Sequence, residues 1–286
     1  MSPPSTSRPL VTLRSVPLTP GRLELAASGS GAIATWLYRP SKLRGQVALA
    51  ISTALRLRGK RASGFPFELD EVIAALGVRP RGCAVMRSPD RQQWVIAIDT
   101  DDTQGVIAKI GMQDQRARIR EEYRTLRRLA DHSGLFSVPI VNRLSEGRTW
   151  SAFDMERVAD VHGSVHFDLD EALAVSVELA RVDDSGITHG DLAPWNLLHG
   201  ERTWLIDWER ARALQPGLDL AHYVLASADI GGMLSSQDAR DHLRFSSPLV
   251  REYCRRTGFA LPLVATNLRE MLTYFDSRAG DQFSDR

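Results

Sequence analysis

The chain has 286 residues, 43% of them hydrophobic and 25% charged, with a formal net charge of +1, an ordinary soluble composition with enough length for one large or two small domains. No apolar run approaches the roughly 20 residues of a membrane-spanning helix, and the opening MSPPSTSRPL lacks the apolar stretch of a signal peptide. Cys83 and Cys254 have neither metal-ligand nor redox spacing, so a reduced, cytoplasmic setting is expected.

Residues 1–40, rich in Pro, Ser and Gly, read as a partly flexible extension or as irregular strands. From Lys42 to Arg61 the pattern is basic and helical, with Leu43, Val47, Ile51 and Leu55 recurring every fourth position. Such an amphipathic helix suits a membrane or a nucleic acid. A helix packed on its own domain with its arginines in solvent fits better, and contact with either through 42–61 is not expected. Phe67 to Leu76 reads as another helix, stopped by Gly77 and Pro80. Cys83–Arg87, Gln93–Asp99 and Gly105–Ile110 are short apolar runs separated by the turn-like SPDR and DTDDTQ, and predict three antiparallel strands. A charged helix follows over Arg116–Ala130, with Tyr123, Leu126 and Leu129 on one face, then strands over Val138–Leu144 and Thr149–Val158. From Leu169 onward the pattern is mostly helical. The expected fold class is α+β in two lobes, with an antiparallel sheet and one main helix first and a mostly helical lobe second. The expected divisions are 1–80, 81–155 and 156–286.

Charge is unevenly shared. Residues 1–155 carry 23 Lys+Arg against 14 Asp+Glu, and residues 156–286 carry 13 against 21. That polarity suits an anionic nucleotide on the first half and a metal or a cationic substrate on the second; it also suits two solvated surfaces of opposite sign. Only Lys42, Lys60 and Lys109 are lysines, so arginine is the generic cation here. Lys109 sits inside the apolar GVIAKIG, where a bare charge is costly without a partner. Snorkelling from an edge strand is the plainer alternative.

The chemistry concentrates between Thr188 and Glu209, in THGDLAPWNLLHGERTWLIDWE. Asp191 places a carboxylate on a turn. Asn196 offers an amide oxygen five residues later, and the apolar Trp204-Leu205-Ile206 presents Asp207 at its end. Phosphoryl transfer needs a group to orient the attacking hydroxyl, oxygen ligands for magnesium and cations for phosphate. A carboxylate, an amide and a second carboxylate within 17 residues supply the first two. With Asp191 present, His189 reads as a structural hydrogen-bonding residue. His162 and His166 have a metal-ligand spacing, but no third ligand is legible near them, and they read as surface histidines.

HGDLAPWNLL, then LIDWE, then GLDLAHY, resemble the aminoglycoside phosphotransferase and choline kinase family, which shares the protein-kinase fold. The resemblance spans roughly residues 81–275. It implies a nucleotide-binding lobe over 81–155 and a catalytic and substrate lobe over 156–286. It also implies Asp191 as catalytic base, with Asn196 and Asp207 as ligands of Mg2+. By the same resemblance Lys109 binds the α- and β-phosphates of ATP, or of GTP in its place, and Glu122 is its helix partner, Glu121 being the substitute. Met155, Glu156, Arg157 and Val158 resemble the hinge whose backbone takes the adenine, and Asp219 resembles the family's structural aspartate. The usual Gly-rich turn over the phosphates is replaced by Ser88-Pro89-Asp90-Arg91, where Ser88 and the backbone are the candidate donors.

Only eleven residues separate Asp207 from Asp219, which leaves no room for the activation segment that docks a peptide. The expected substrate is therefore a small hydroxyl compound (an aminoglycoside, a sugar or an amino alcohol), and no protein substrate is expected. The alternative is a nucleotide-binding pseudokinase or regulatory module without turnover.

Overall fold

Short apolar runs bounded by turn-like segments make much of the first half strands, several of them buried on both faces. A computed structural model describes residues 14–19, 23–27, 60–61, 67–87, 92–101, 105–158, 165–183, 185–229 and 231–284. Eight antiparallel strands form one sheet: β1 (Arg14–Thr19), β2 (Leu23–Ala27), β3 (Lys60–Arg61), β4 (Gly82–Arg87), β5 (Gln93–Asp99), β6 (Val106–Met112), β7 (Val141–Glu146) and β8 (Trp150–Glu156), in the order β3-β1-β2-β4-β5-β6-β8-β7. Two of them lie in the Pro/Ser/Gly-rich extension, where β2 continues the sheet by pairing Ala26 with Val85. The basic helix expected over 42–61 falls outside the described residues except for Lys60 and Arg61, which are strand and not helix, paired with Ser15 and Arg14. Gly59, a poor helix former, precedes them.

Helix α1 (Leu69–Leu76) ends on Gly77 at φ +73°, the left-handed cap that glycine adopts without strain. It buries Val72, Ile73 and Leu76 with Trp94, Ile96, Ile98, Cys83 and Val85 in one apolar cluster. Trp94, Ile96 and Ile98 are alternate residues of β5, so a single strand face supplies three large side chains. Each contributes about 1.5–3 kcal/mol on full burial. Helix α2 (Gln115–Leu129) buries Ile119, Glu122, Leu126 and Leu129. That 3-4-3 spacing is one helix face, and Glu122 is the carboxylate set into its apolar row.

The chain divides into two compact units, Met1–Arg127 with Pro139–Ala159, and Arg128–Val138 with Asp160–Arg286. The second unit holds α3 (Leu169–Leu179), α4 (Leu218–Asp229), α5 (Ser236–His242), α6 (Pro248–Thr257) and α7 (Leu261–Ser284). Asp168 caps α3 by accepting from the N–H groups of Asp170 and Glu171, and Ser235 and Ser247 cap α5 and α6. Every residue of α4 from Leu218 to Ser227 is buried, because α3, α5 and α7 all pack on it. Two small hairpins complete the unit. One pairs β10 (Leu197–His199) with β11 (Thr203–Leu205), and the other pairs β9 (Ile187–Thr188) with β12 (Arg212–Ala213). Among the described residues no helix is long and apolar enough to cross a membrane.

Candidate active site

The two hairpins hold the ends of a loop. Strand β9 leads into it, and a single 3-10 turn over Pro194–Asn196 leaves it for β10. Inside the loop His189 is fully buried. Its Nε2 lies 3.0 Å from the Ile206 carbonyl, and its Nδ1 accepts from the Asp191 N–H at 3.2 Å. A proton on Nε2 satisfies both bonds. The ring stands edge-on to Trp208, centroids 4.6 Å apart. Gly190 has φ +79°, and a Cβ there would lie 2.5 Å from the Arg210 carbonyl oxygen; only glycine fits both the backbone and the space.

Asp219, near the start of α4, anchors this loop from below. Its two carboxylate oxygens accept from the N–H of His189 at 2.9 Å and of Gly190 at 2.8 Å. Burial pushes its carboxyl up to about 6, against the lowering pull of those two donors. The residues before α4 are themselves pinned. Tyr253 Oη accepts from the Gly217 N–H at 3.0 Å, and Asn267 donates to the Pro216 carbonyl at 2.8 Å.

On that foundation Asp191 is presented with its side chain 21% exposed. Asn196 Nδ2 donates to the Asp191 carbonyl at 2.8 Å and reaches the carboxylate Oδ2 at 3.4 Å. With the amide nitrogen so engaged, the amide oxygen is the end of Asn196 turned toward other partners. The Ile206 N–H donates to the Asn196 carbonyl at 3.0 Å, which sets Asp207 beside the turn. Asp207 has φ +68°, a left-handed conformation that a non-glycine residue adopts at a cost of about 1 kcal/mol or more. Such strain clusters at functional positions.

Burial is also the main cause that raises the Asp191 carboxyl, to about 6. Arg210 opposes it, while Asp207 and Glu209 push the same way as burial. Arg210 Nη1 lies 3.5 Å and His222 Nε2 3.3 Å from Asp191 Oδ1. His222 Nδ1 lies 3.0 Å from the Leu192 carbonyl, so that nitrogen carries hydrogen. A favourable contact on the Nε2 side then requires one proton shared between His222 and Asp191. Neither Arg210 nor His222 stood out in the sequence, since each reaches Asp191 only through the fold.

The first unit carries the other predicted residues. Lys109, central in β6, pairs across the sheet with Val95 and Phe153. Its Nζ donates to Glu122 Oε1 at 2.6 Å, and the two side chains are 7% and 2% exposed. Glu121 is exposed and pairs with Arg124 one turn on. Tyr123 rests on Phe153, centroids 5.9 Å apart, which holds α2 against the sheet. Met155 and Glu156 end β8: Met155 opposes Ile107 and Val141, and Glu156 donates its N–H to the Ile140 carbonyl at 2.8 Å. Arg157 and Val158 follow the ladder's end. Ser88 and the turn to Arg91 lie outside the described residues.

A family model described as the phosphotransferase enzyme family matches residues 156–253, the stretch that holds the His189–Asp219 loop and its anchor. Over that stretch the chain is similar to the phosphotransferase enzyme family. The matched segment spans α3 through most of α6, including Asp191, Asn196, Asp207 and Asp219. Among solved structures the chain is similar to an aminoglycoside-3'-phosphotransferase of type VIII, with 18% identity, 62% of this chain and 88% of that chain covered, and a TM-score of 0.42. It is also similar to WbdD in complex with a kinase inhibitor, with 13% identity, 63% and 43% covered, and a TM-score of 0.35. No curated protein matches the chain.

Proposed function

We propose that this chain is a phosphotransferase, a small-molecule kinase that moves the γ-phosphoryl group of ATP, or of GTP, to a hydroxyl of an aminoglycoside, a sugar or an amino alcohol. The observation that supports it most is the Asp191 loop: one partly exposed carboxylate, braced by Asn196, His222 and Arg210, with Asp207 held beside it in a strained backbone. In this reading Asp191 accepts a hydrogen bond from the acceptor hydroxyl, orients its lone pair and takes its proton as the P–O bond forms. Its raised carboxyl suits that work, because a base with a pKa near the working pH is both ionised and basic.

Asn196 and Asp207 fit a hard divalent cation, each offering one oxygen, which matches the sparse protein ligation that magnesium prefers. Mg2+ bound there would neutralise charge on the nucleotide's phosphates. Lys109, with Glu122 holding its ammonium in place, would supply the cation for the α- and β-phosphates. The backbone of Met155–Val158 would take the adenine; the Glu156 N–H is already given to Ile140, so Arg157 and Val158 are the better donors. Ser88 would cover the phosphates from its turn. Residues 81–155 then form the nucleotide-binding part and residues 156–286 the catalytic part of a cytoplasmic enzyme.

A screen of aminoglycosides, sugars and amino alcohols for acceptor-dependent, Mg2+-dependent nucleotide consumption tests the reading. One class should turn over. Calorimetry should show Mg-nucleotide binding lost in Asp207→Ala, and unchanged binding there removes Asp207 from the metal site. If no acceptor is consumed while nucleotide still binds, the chain is a pseudokinase or regulatory module.

A further inference from the structure

Two histidines and a glutamate that no step above uses converge in the second unit. His166 precedes α3, Glu171 lies in the first turn of α3, and His199 ends β10, three residues after Asn196. One nitrogen or oxygen from each lies within 4.8 Å of the others. His199 Nδ1 stands 3.5 Å from Glu171 Oε1, and the two imidazoles face each other with centroids 4.9 Å apart at 41°. We propose that His166, Glu171 and His199 form a Zn2+ site, separate from the magnesium ligands, that ties the β10–β11 hairpin to the start of α3.

The donor set is the argument. Two imidazoles and one carboxylate suit zinc, whereas magnesium prefers oxygen ligands alone. Bonds of about 2.0–2.1 Å at tetrahedral angles put ligand atoms about 3.4 Å apart. The His199–Glu171 edge already has that length. His166 is exposed, and a small rotation of its side chain closes the third edge while leaving a fourth position to water. Glu171 is held from behind. The Glu171 N–H donates to Asp168 Oδ1 at 3.0 Å, and the 3.5 Å contact of His199 Nδ1 with Thr203 Oγ1 is one that Zn2+ on that nitrogen would replace. Burial raises the Glu171 carboxyl and both imidazoles pull it back down, so a cation at this point favours the ionised form. Spacing alone could not reveal the trio, since His199 comes from a different element 33 positions beyond His166.

The test uses the full chain, stripped with a chelator and titrated with Zn2+ by calorimetry and with Co2+ by visible absorbance. One equivalent should bind at micromolar concentration or tighter, with the intense bands of tetrahedral Co2+, and millimolar Mg2+ should not displace it. His166→Ala, on an exposed side chain that leaves the fold intact, should weaken Zn2+ at least tenfold, as should His199→Ala and Glu171→Gln. Asp207→Asn should leave this equivalent unchanged. Zn2+ should raise the thermal midpoint of the wild type and not of His199→Ala. The proposal is overturned if no equivalent binds below about 100 μM, since structural zinc sites bind far more tightly than that. Equal binding by His166→Ala and wild type, or loss of the equivalent in Asp207→Asn, would overturn it as well.

Discussion

Replacing Asp219 by Ala should unfasten the loop that carries Asp191. The carboxylate is fully enclosed and accepts from two backbone N–H groups, those of His189 and Gly190, at 2.9 and 2.8 Å. Its removal leaves both donors buried without an acceptor, at about 1–3 kcal/mol each. Asp219 is itself disfavoured as an anion, with a carboxyl raised from 3.8 to about 6, and relief of that charge offsets part of the loss. The net expectation is about 2–4 kcal/mol for Asp219→Ala. Asp219→Asn should cost less, because its amide oxygen still serves one of the two donors. With a urea slope of about 1–3 kcal/mol per molar, the Asp219→Ala midpoint should fall by about 1 M or more. Hydrogen exchange over residues 186–192 should accelerate in the same order, wild type slowest and Asp219→Ala fastest. An Asp219→Ala midpoint within about 0.3 M of wild type, with the 189 and 190 amides still protected, would refute the anchoring argument.

Further outcomes are expected at Asp191, Lys109 and Gly190. Turnover at saturating acceptor should fall as pH drops through about 6, because Asp191 takes up a proton there and its ionised form is present only above that value; Asp191→Asn should lower kcat by about 10²–10⁴ with the circular dichroism spectrum unchanged. Lys109→Met should destabilise by about 3–5 kcal/mol in denaturant unfolding, since it takes the ammonium away from the buried Glu122 carboxylate. The double variant Lys109→Met/Glu122→Leu should recover most of that stability while nucleotide binding stays lost, a split that only an assay of both properties reveals. Gly190→Ala must place a Cβ 2.5 Å from the Arg210 carbonyl at φ +79°, so it should abolish turnover and lower the melting temperature by several degrees.

Local patterns were legible where one periodicity governed an element. The stripe of α2 follows from spacing and the strand β5 from a bounded apolar run, and the ends of α2 fall one residue from those expected. Lys109 was conspicuous because an apolar strand makes a charge expensive. Long-range placement was not legible. Nothing in the linear pattern brings His222 to Asp191, 31 positions away, or joins β2 to β4 across the extension. The left-handed backbone at Asp207 is equally silent, since an aspartate in a strand-ending position reads as an ordinary turn residue until its φ is seen.

The passage from Arg128 to Val138 has a consequence for anyone who would cut the protein in two. Those eleven residues belong with the second unit although the chain returns to the first before leaving it for good. Ser137 gives its N–H to the Thr203 carbonyl and takes the N–H of Leu205, at 2.8 and 2.9 Å. Phe136 lies against Trp208, and His132 holds Glu178 at 2.6 Å. A fragment beginning at residue 156 would keep every residue of the Asp191 loop yet lose the Ser137 hydrogen bonds to β11 and the Phe136 side of Trp208's packing. Such a fragment should be less stable than the full chain, and a synthetic 128–138 peptide should bind back to it through the Ser137 bridge.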